Sequence, residues 1–138
     1  MTSDERLQEL VKLRMRQASE TLHEARILVA EHAGRGAVSR AYYAMFYAVL
    51  AILATKGVGT SKHSGAISLF DREFIKPGDL PRGLSRSLHM AFERRQQADY
   101  GELADLDEPA VVRAIEEADV FIQKVRDYMK AKGSLSSD

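Results

Sequence analysis

The sequence predicts an all-α protein, a five-helix up-and-down bundle of four long helices and one short helix. Apolar residues recur every three or four positions in the outer segments, and no segment alternates as a strand does. The run 39–53 is apolar on nearly every face and carries one charge, Arg40. A helix that is apolar all round belongs inside a bundle, so we interpret this run as the core helix. It is long enough to span a membrane, but Arg40 and three tyrosine hydroxyls argue against that.

Composition limits the possible classes of protein. A chain of 138 residues suggests one domain, with a core over about residues 5–131 and a polar tail at 132–138. The 20 Lys and Arg residues balance the 20 Asp and Glu residues, which gives no support for a strongly basic nucleic-acid binder. Without cysteine, disulfides and Cys-based zinc sites are excluded. Residues 1–6 lack the order of a signal peptide, so we expect a soluble, cytoplasmic protein.

The first predicted helix is long and amphipathic, over about residues 4–32, with Ser3 or Asp4 as its cap. Its apolar face consists of Leu7, Val11, Met15, Ala18, Leu22, Ala25 and Val29. The glycine-containing run 34–36 interrupts the pattern and predicts a tight connection to the core helix. The core helix is expected to end near Gly57, because glycine commonly follows the last turn of a helix.

Each remaining helix has its own start signal. These are Ser61 for the short third helix, Asp79 with Pro81 for the fourth, and Asp107 with Pro109 for the fifth. The third helix is expected to reach Phe74 or Ile75, the fourth to end around 98–101, and 102–106 to form a loop. The predicted inner faces are Ala66, Ile67, Phe70 and Phe74; Leu84, Leu88, Ala91, Phe92 and Arg95; and Val111, Ile115, Ala118, Ile122, Val125 and Met129.

The histidines give no metal motif. They are His23, His32, His63 and His89. None has a second ligand one helical turn away, and no glycine-rich run matches a phosphate-binding loop. We therefore expect each histidine to be a surface or packing residue, and we expect neither a metal nor a cofactor.

One candidate site lies on the core helix, where Arg40, Tyr43 and Tyr47 share one side. Polar groups on a buried helix need partners. They either reach the rim of the core or a dimer interface, or they line a cleft for a nucleotide or an RNA phosphate. The sequence leaves both readings open.

A second candidate site lies at the end of the fourth helix, in the run 93–101. It contains two arginines, two glutamines, an aspartate and a tyrosine within about two turns. Cations favour the C-terminal end of a helix, and Asp99 can pair with an arginine, so helix capping is one interpretation. The other interpretation is a phosphate-binding arginine assisted by neighbouring polar groups.

Three segments, 39–46 (Ser-Arg-Ala-Tyr-Tyr-Ala-Met-Phe), 62–65 (Lys-His-Ser-Gly) and 95–101 (Arg-Gln-x-Ala-Asp-Tyr-Gly), together resemble the HEPN domain proteins of the small stand-alone, UPF0332-like type. The resemblance covers about residues 5–130. It implies a five-helix bundle, a homodimer, and a genetic partner that is a minimal nucleotidyltransferase. Such pairs often act as toxin–antitoxin modules.

Many HEPN domains are metal-independent ribonucleases, and the resemblance makes their motif relevant here. That motif is an arginine, an adjacent polar residue, and a histidine four to six residues further on. Arg95 and Gln96 match its start, but the position five residues after Arg95 holds Tyr100. Arg82 and His89 satisfy the bare spacing, yet they lie outside the matching segment. A tyrosine is a poor general base near neutral pH.

Three functions therefore remain open from sequence. The chain is a homodimeric module that binds a nucleotide, RNA or a partner protein, or a ribonuclease toxin, or a purely structural bundle. The candidate catalytic residues are Arg95, Asp99 and Tyr100. The candidate ligand-binding residues are Arg40, Tyr43, Tyr47, Lys62, His63, Arg94 and Gln96.

Overall fold

The computed structural model describes residues 2–101 and 106–136. Within these ranges the chain forms five α-helices and no strand, which confirms the predicted all-α bundle. The helices are α1 (Ser3–Ala30), α2 (Gly34–Ala54), α3 (His63–Phe70), α4 (Arg82–Asp99) and α5 (Glu108–Ala131). A π-helical turn, Asp71–Ile75, extends α3. The part of the predicted loop at 102–105 lies outside the described residues.

Helix α2 is the core helix, and each of the other four helices contacts it. Its alanines are buried, and Ala44, Ala48 and Ala51 are completely so. Because these side chains are short, neighbouring helices can approach the α2 backbone closely. By length and hydropathy α2 could cross a membrane, but 72% of its apolar window is buried inside the bundle. Its apolar character is therefore accounted for by the core of this fold.

Aromatic rings join α3, the π-helical turn and α5 at one end of the core. The Phe70 ring lies 5.6 Å from Phe121 and 6.1 Å from Phe74, measured between centroids. The Tyr128 ring meets Phe74 edge-on at 5.9 Å. Every predicted inner residue of α5 is buried, and Phe121, which the predicted face omitted, is buried as well. The fifth helix therefore contributes a wider apolar face to the core than its periodicity indicated.

The predicted start of α1 and the first connection were wrong in detail. Thr2 caps α1, because its hydroxyl accepts a hydrogen bond from the Glu5 backbone N–H at 3.2 Å. The chain turns at 31–33, where His32 has a left-handed backbone with φ of 58°. The run 34–36, predicted as the connection, is the first turn of α2. The left-handed backbone at His32 turns the chain after α1, and Gly34 and Gly36 therefore lie within α2.

Two other predicted caps were also wrong. The residue before α3 is Lys62 and the residue before α4 is Pro81, and neither has a side-chain cap. Ser61 therefore caps nothing. Asp79 instead hydrogen-bonds Tyr128; burial, followed by the charge and hydrogen bond of Asp79, raises the pKa of that tyrosine. Pro81 fixes an extended backbone at the entry to α4.

The cap of α5 and the glycine after α4 were predicted correctly. The Asp107 carboxylate accepts a hydrogen bond from the Ala110 backbone N–H at 2.8 Å. Gly101 follows α4 with φ of 71°, in the left-handed region that glycine adopts without strain. Arg35 approaches the Gly101 carbonyl at 3.5 Å, so the end of α4 lies beside the start of α2.

Replacing Asp107 with alanine is expected to lower the free energy of unfolding by about 1 kcal/mol, because an N-cap contributes about that much. Urea denaturation followed by circular dichroism measures the change. Asp107→Asn retains a cap and should lose only a small part of this stability. Ser3→Ala should leave the free energy of unfolding nearly unchanged, because Thr2 is the cap of α1. Equal stability of Asp107→Ala and wild type contradicts the assignment.

Candidate functional site

Arg95 is the centre of the candidate site, and α4 places it against α2. Its Nη2 donates a hydrogen bond to the Tyr43 hydroxyl at 2.8 Å. The guanidinium carbon lies 5.2 Å from the Tyr43 ring centroid and 5.8 Å from that of Tyr42, so the cation lies against two aromatic rings. Only 21% of the side chain is exposed. The structure therefore holds an arginine charge in a half-enclosed aromatic setting.

The ion pair between Arg95 and Asp99 leaves part of the guanidinium without a hydrogen bond. The Nε atom lies 2.9 Å from Oδ2 of Asp99, one turn further along α4. The distance makes an ion pair, but the N–H does not point at the carboxylate, so the buried Nε has no hydrogen-bond partner within residues 2–101 and 106–136. The Coulomb attraction does not depend on that angle and remains. The hydrogen-bonding capacity of the guanidinium is thus only partly used.

His63, the first residue of α3, completes the polar part of the site. Its Nδ1 lies 2.7 Å from the Tyr42 hydroxyl, and its ring stacks on Phe46 with centroids 4.1 Å apart and planes 12° apart. Burial, and then the Arg95 charge, lower the pKa of His63. His63 is therefore neutral at pH 7. Burial also raises the pKa of Tyr42, which remains protonated.

Three helices bring these side chains together, and each uses helical spacing to do so. Tyr42 and Phe46 are four residues apart on α2, and Phe92 and Arg95 are three apart on α4, so each pair shares a face. The Phe92 ring lies 5.6 Å from Tyr42. The turn after α2 returns the chain so that α3 begins beside both. We call this group the Arg95–His63 site; it consists of Tyr42, Tyr43, Phe46, His63, Phe92, Arg95 and Asp99.

Two of the predicted ligand-binding residues border the site. The Arg40 guanidinium lies 5.7 Å from the Tyr43 ring centroid and pairs with Glu24 of α1 at 2.9 Å. Lys62 directly precedes His63, and its side chain is exposed. Arg40 is therefore a paired cation beside the Tyr43 ring, and Lys62 is an exposed cation next to His63 in the chain.

The other candidates lie apart from Arg95 and His63. The Tyr47 ring packs at 6.5 Å from Phe46, and Arg94 points to α5, where it lies 3.6 Å from Glu117. Gln96 is exposed, and Tyr100 has 78% of its surface exposed. A role for these four residues in binding or catalysis stays a prediction.

Sequence reasoning missed three members of the site. Tyr42, Phe46 and Phe92 were assigned to the core alone, although a buried tyrosine requires a hydrogen-bond partner and so signals a polar neighbour. His89, which had the motif spacing with Arg82, lies elsewhere. Its Nε2 is 2.7 Å from Asp71, which also accepts a hydrogen bond from Ser85 at 2.7 Å.

The site has the groups that bind a phosphate or another oxyanion. A guanidinium offers planar, charged hydrogen-bond donors, and a neutral imidazole offers one more donor or acceptor. In the described part of the chain no group of three His, Asp or Glu side chains could hold a metal ion. The ionisable groups of the Arg95–His63 site itself are its arginine, histidine, aspartate and tyrosines.

His63 is expected to make folding pH-dependent. Because its pKa is lowered in the folded protein, the unfolded chain binds a proton more readily. Its contribution to stability is complete above the unfolded value of 6.5 and is lost progressively as the pH falls below it. Urea denaturation at pH 7.5 and at successively lower pH tests this. His63→Gln should reduce the loss of unfolding free energy as the pH falls, whereas His23→Gln, at an exposed position on α1, should not.

Comparison with known proteins gives one family. The sequence model of the HEPN domain matches residues 11–128. A "UPF0332 protein" of Thermotoga maritima is 37% identical over 118 residues, covering 86% of this chain and 89% of that protein. Two proteins of Methanocaldococcus jannaschii are also similar. "Putative toxin MJ0142" is 35% identical over 74% of this chain and 69% of its own length, and "Putative toxin MJ0605" is 33% identical over 91% and 90%.

Proposed function

Since the chain belongs to the HEPN domain family, we propose that it is a toxin-type HEPN protein that binds single-stranded RNA through a phosphate at the Arg95–His63 site. The observation that carries the proposal is the state of Arg95: its guanidinium lies against the Tyr42 and Tyr43 rings, and its buried Nε has no hydrogen-bond partner among the described residues. The toxin part of the proposal is supported by the two relatives from Methanocaldococcus jannaschii, each of which is named as a putative toxin.

Electrostatics favour a phosphate as the ligand. Asp99 is the one carboxylate paired with Arg95 within the described ranges, and 42% of its side chain is exposed to solvent, which screens it. Arg40 and Lys62 add positive charge at the rim. A phosphate therefore gains attraction from Arg95, Arg40 and Lys62, while the exposed partner carboxylates Asp99 and Glu24 oppose it. With a net charge of zero, the chain has to obtain RNA affinity from this local cluster.

The proposal includes self-association and a partner. Met90 on α4 and Tyr100, the residue that follows α4, are 54% and 78% exposed, which leaves both side chains accessible to a second copy of the chain. We propose that the chain forms a homodimer in the cytoplasm and that its partner is a minimal nucleotidyltransferase. Size-exclusion chromatography with light scattering tests the dimer, and co-purification with the product of the adjacent gene tests the partner.

Fluorescence anisotropy with a labelled single-stranded RNA, followed by gel electrophoresis of the same RNA, tests the function. We expect saturable binding and intact RNA. Binding should weaken in Arg95→Gln and persist in Arg113→Gln, an exposed arginine on α5. A protein that binds no RNA, or one whose affinity is the same in Arg95→Gln, overturns the proposal. If Arg95→Gln only lowers the melting temperature, the residue is structural.

A ribonuclease that uses Arg95, Asp99 and Tyr100 is the second candidate, since Asp99 lies 2.9 Å from the arginine. Two facts favour binding over this mechanism. The Asp99 carboxylate is engaged in an ion pair with Arg95, and Tyr100 lies on the exposed surface without a described polar partner for its hydroxyl. RNA fragments from the wild type that disappear in Asp99→Asn favour the ribonuclease instead.

A further inference from the structure

We propose that Tyr42 fixes His63 as a neutral hydrogen-bond donor and that the Nε2–H of His63 binds the same phosphate group as Arg95. This inference rests on the proposed function and deepens it by assigning a second recognition residue. His63 lies on α3, outside the sequence segment that carries Arg95, and no spacing rule along the chain connects the two.

The first step is the position of the proton on Tyr42. The tyrosine is 1% exposed, and burial keeps its hydroxyl protonated by raising its pKa. A buried hydroxyl needs an acceptor for its hydrogen. Among the described residues the acceptor within reach is Nδ1 of His63, at 2.7 Å. Tyr42 therefore donates, and Nδ1 accepts.

The second step follows from the chemistry of imidazole. A neutral ring has one nitrogen with a proton and one without. Because Nδ1 is the acceptor, the proton resides on Nε2, which has no hydrogen-bond partner within residues 2–101 and 106–136. His63 is half-buried, so this N–H is a directed donor at the edge of the site. In this tautomer Nε2 has no lone pair to take a proton from a 2′-hydroxyl, which agrees with RNA binding without cleavage.

The third step is the charge state. His63 packs between Phe46 and Phe92, and its edge contacts Tyr43. The cation near it is Arg95, on α4. A protonated His63 would lose solvation against these rings and would be repelled by the arginine. The neutral ring gives the phosphate a hydrogen bond without adding a second buried charge, so Arg95 supplies the charge and His63 supplies direction.

A packing histidine is the alternative, and isosteric variants separate it from a ligand-binding one. The amide of glutamine can place an N–H near the position of Nε2, whereas asparagine reaches only the position of Nδ1. A hydrogen bond to a charged group contributes about 1.5 kcal/mol or more, which is about tenfold in affinity. His63→Asn should therefore bind the RNA about tenfold more weakly than wild type, and His63→Gln should stay closer to it.

The experiment combines long-range ¹H–¹⁵N NMR of the histidine rings with RNA anisotropy at pH 7.5. We expect the Nε2–H tautomer of His63 in the free protein and a downfield shift of that proton when single-stranded RNA is added. Circular dichroism verifies the folding of each variant. Tyr42→Phe should lose the tautomer preference, because Nδ1 then has no donor.

The inference alone is overturned by a His63 that carries its proton on Nδ1, or by equal affinities of His63→Asn and wild type while Arg95→Gln is impaired. If Arg95→Gln also binds as tightly as wild type, or if the wild type binds no RNA, the proposed function fails together with the inference. If His63→Gln is as weak as His63→Asn although both fold, the Nε2 donor is not what the ligand needs, and the inference is likewise overturned.

Discussion

Replacing Arg95 with glutamine is expected to weaken single-stranded RNA binding by about ten- to a hundredfold. The loss corresponds to one hydrogen-bonded charge contact, about 1.5 to 3 kcal/mol. The glutamine keeps a polar side chain on α4 but removes the cation that lies against the Tyr42 and Tyr43 rings. The salt dependence should change too, because each lost phosphate contact lowers the slope of log affinity against log salt by about 0.7.

Arg113→Gln is the matched control for this variant. It removes the same charge from an exposed position on α5, outside the Arg95–His63 site. We expect its affinity and salt slope to stay close to those of the wild type. An equal loss of RNA affinity in Arg95→Gln and Arg113→Gln would mean that affinity depends only on the overall charge, which contradicts a site at Arg95.

Replacing Phe121 with alanine is expected to lower the free energy of unfolding by about 3 to 5 kcal/mol. The side chain is 0% exposed, and its ring lies 5.6 Å from Phe70. Truncation leaves a cavity where α5 meets α3, and the close packing of the surrounding helices limits its collapse. Since small domains are stable by about 5 to 15 kcal/mol, the variant should be close to unfolding.

Val120→Ala is the control, because Val120 is the neighbour of Phe121 in sequence but is 53% exposed. Its free energy of unfolding should change by less than about 1 kcal/mol. Urea denaturation of both variants gives the comparison. A Phe121→Ala protein as stable as Val120→Ala would contradict the central place of the aromatic rings in the core.

The fold was predictable because it depends on periodicity, which is a local property of the chain. The apolar positions of α1 and α5 repeat at helical spacing, and the all-round apolar character of α2 marks the buried helix before any contact is known. Several polar residues compete for each helix start, and tertiary contacts choose among them. For this reason the sequence did not identify Thr2 as the cap of α1, and it wrongly predicted Asp79 as the cap of α4.

The candidate site was only half predictable. Arg95 and Asp99 are four residues apart on one helix, so their pairing follows from sequence. The contact between Tyr42 and His63 spans 21 residues and depends on how the turn after α2 returns the chain. Sequence reasoning looked for a histidine after Arg95 and found Tyr100. The structure instead brings His63 within the influence of the Arg95 charge. His63 was already a candidate through the 62–65 segment, but the sequence did not show that it shares a site with Arg95.

The most direct test of RNA binding at Arg95 is an NMR titration of the protein with a short single-stranded RNA. The side-chain ¹H–¹⁵N signals of Arg95 and His63 are assigned with Arg95→Gln and His63→Asn. We predict that both signals shift saturably, with the dissociation constant that anisotropy gives. RNA that binds with the same constant while both signals stay unchanged, and only signals of other exposed arginines and lysines move, would contradict a phosphate site at Arg95 and His63.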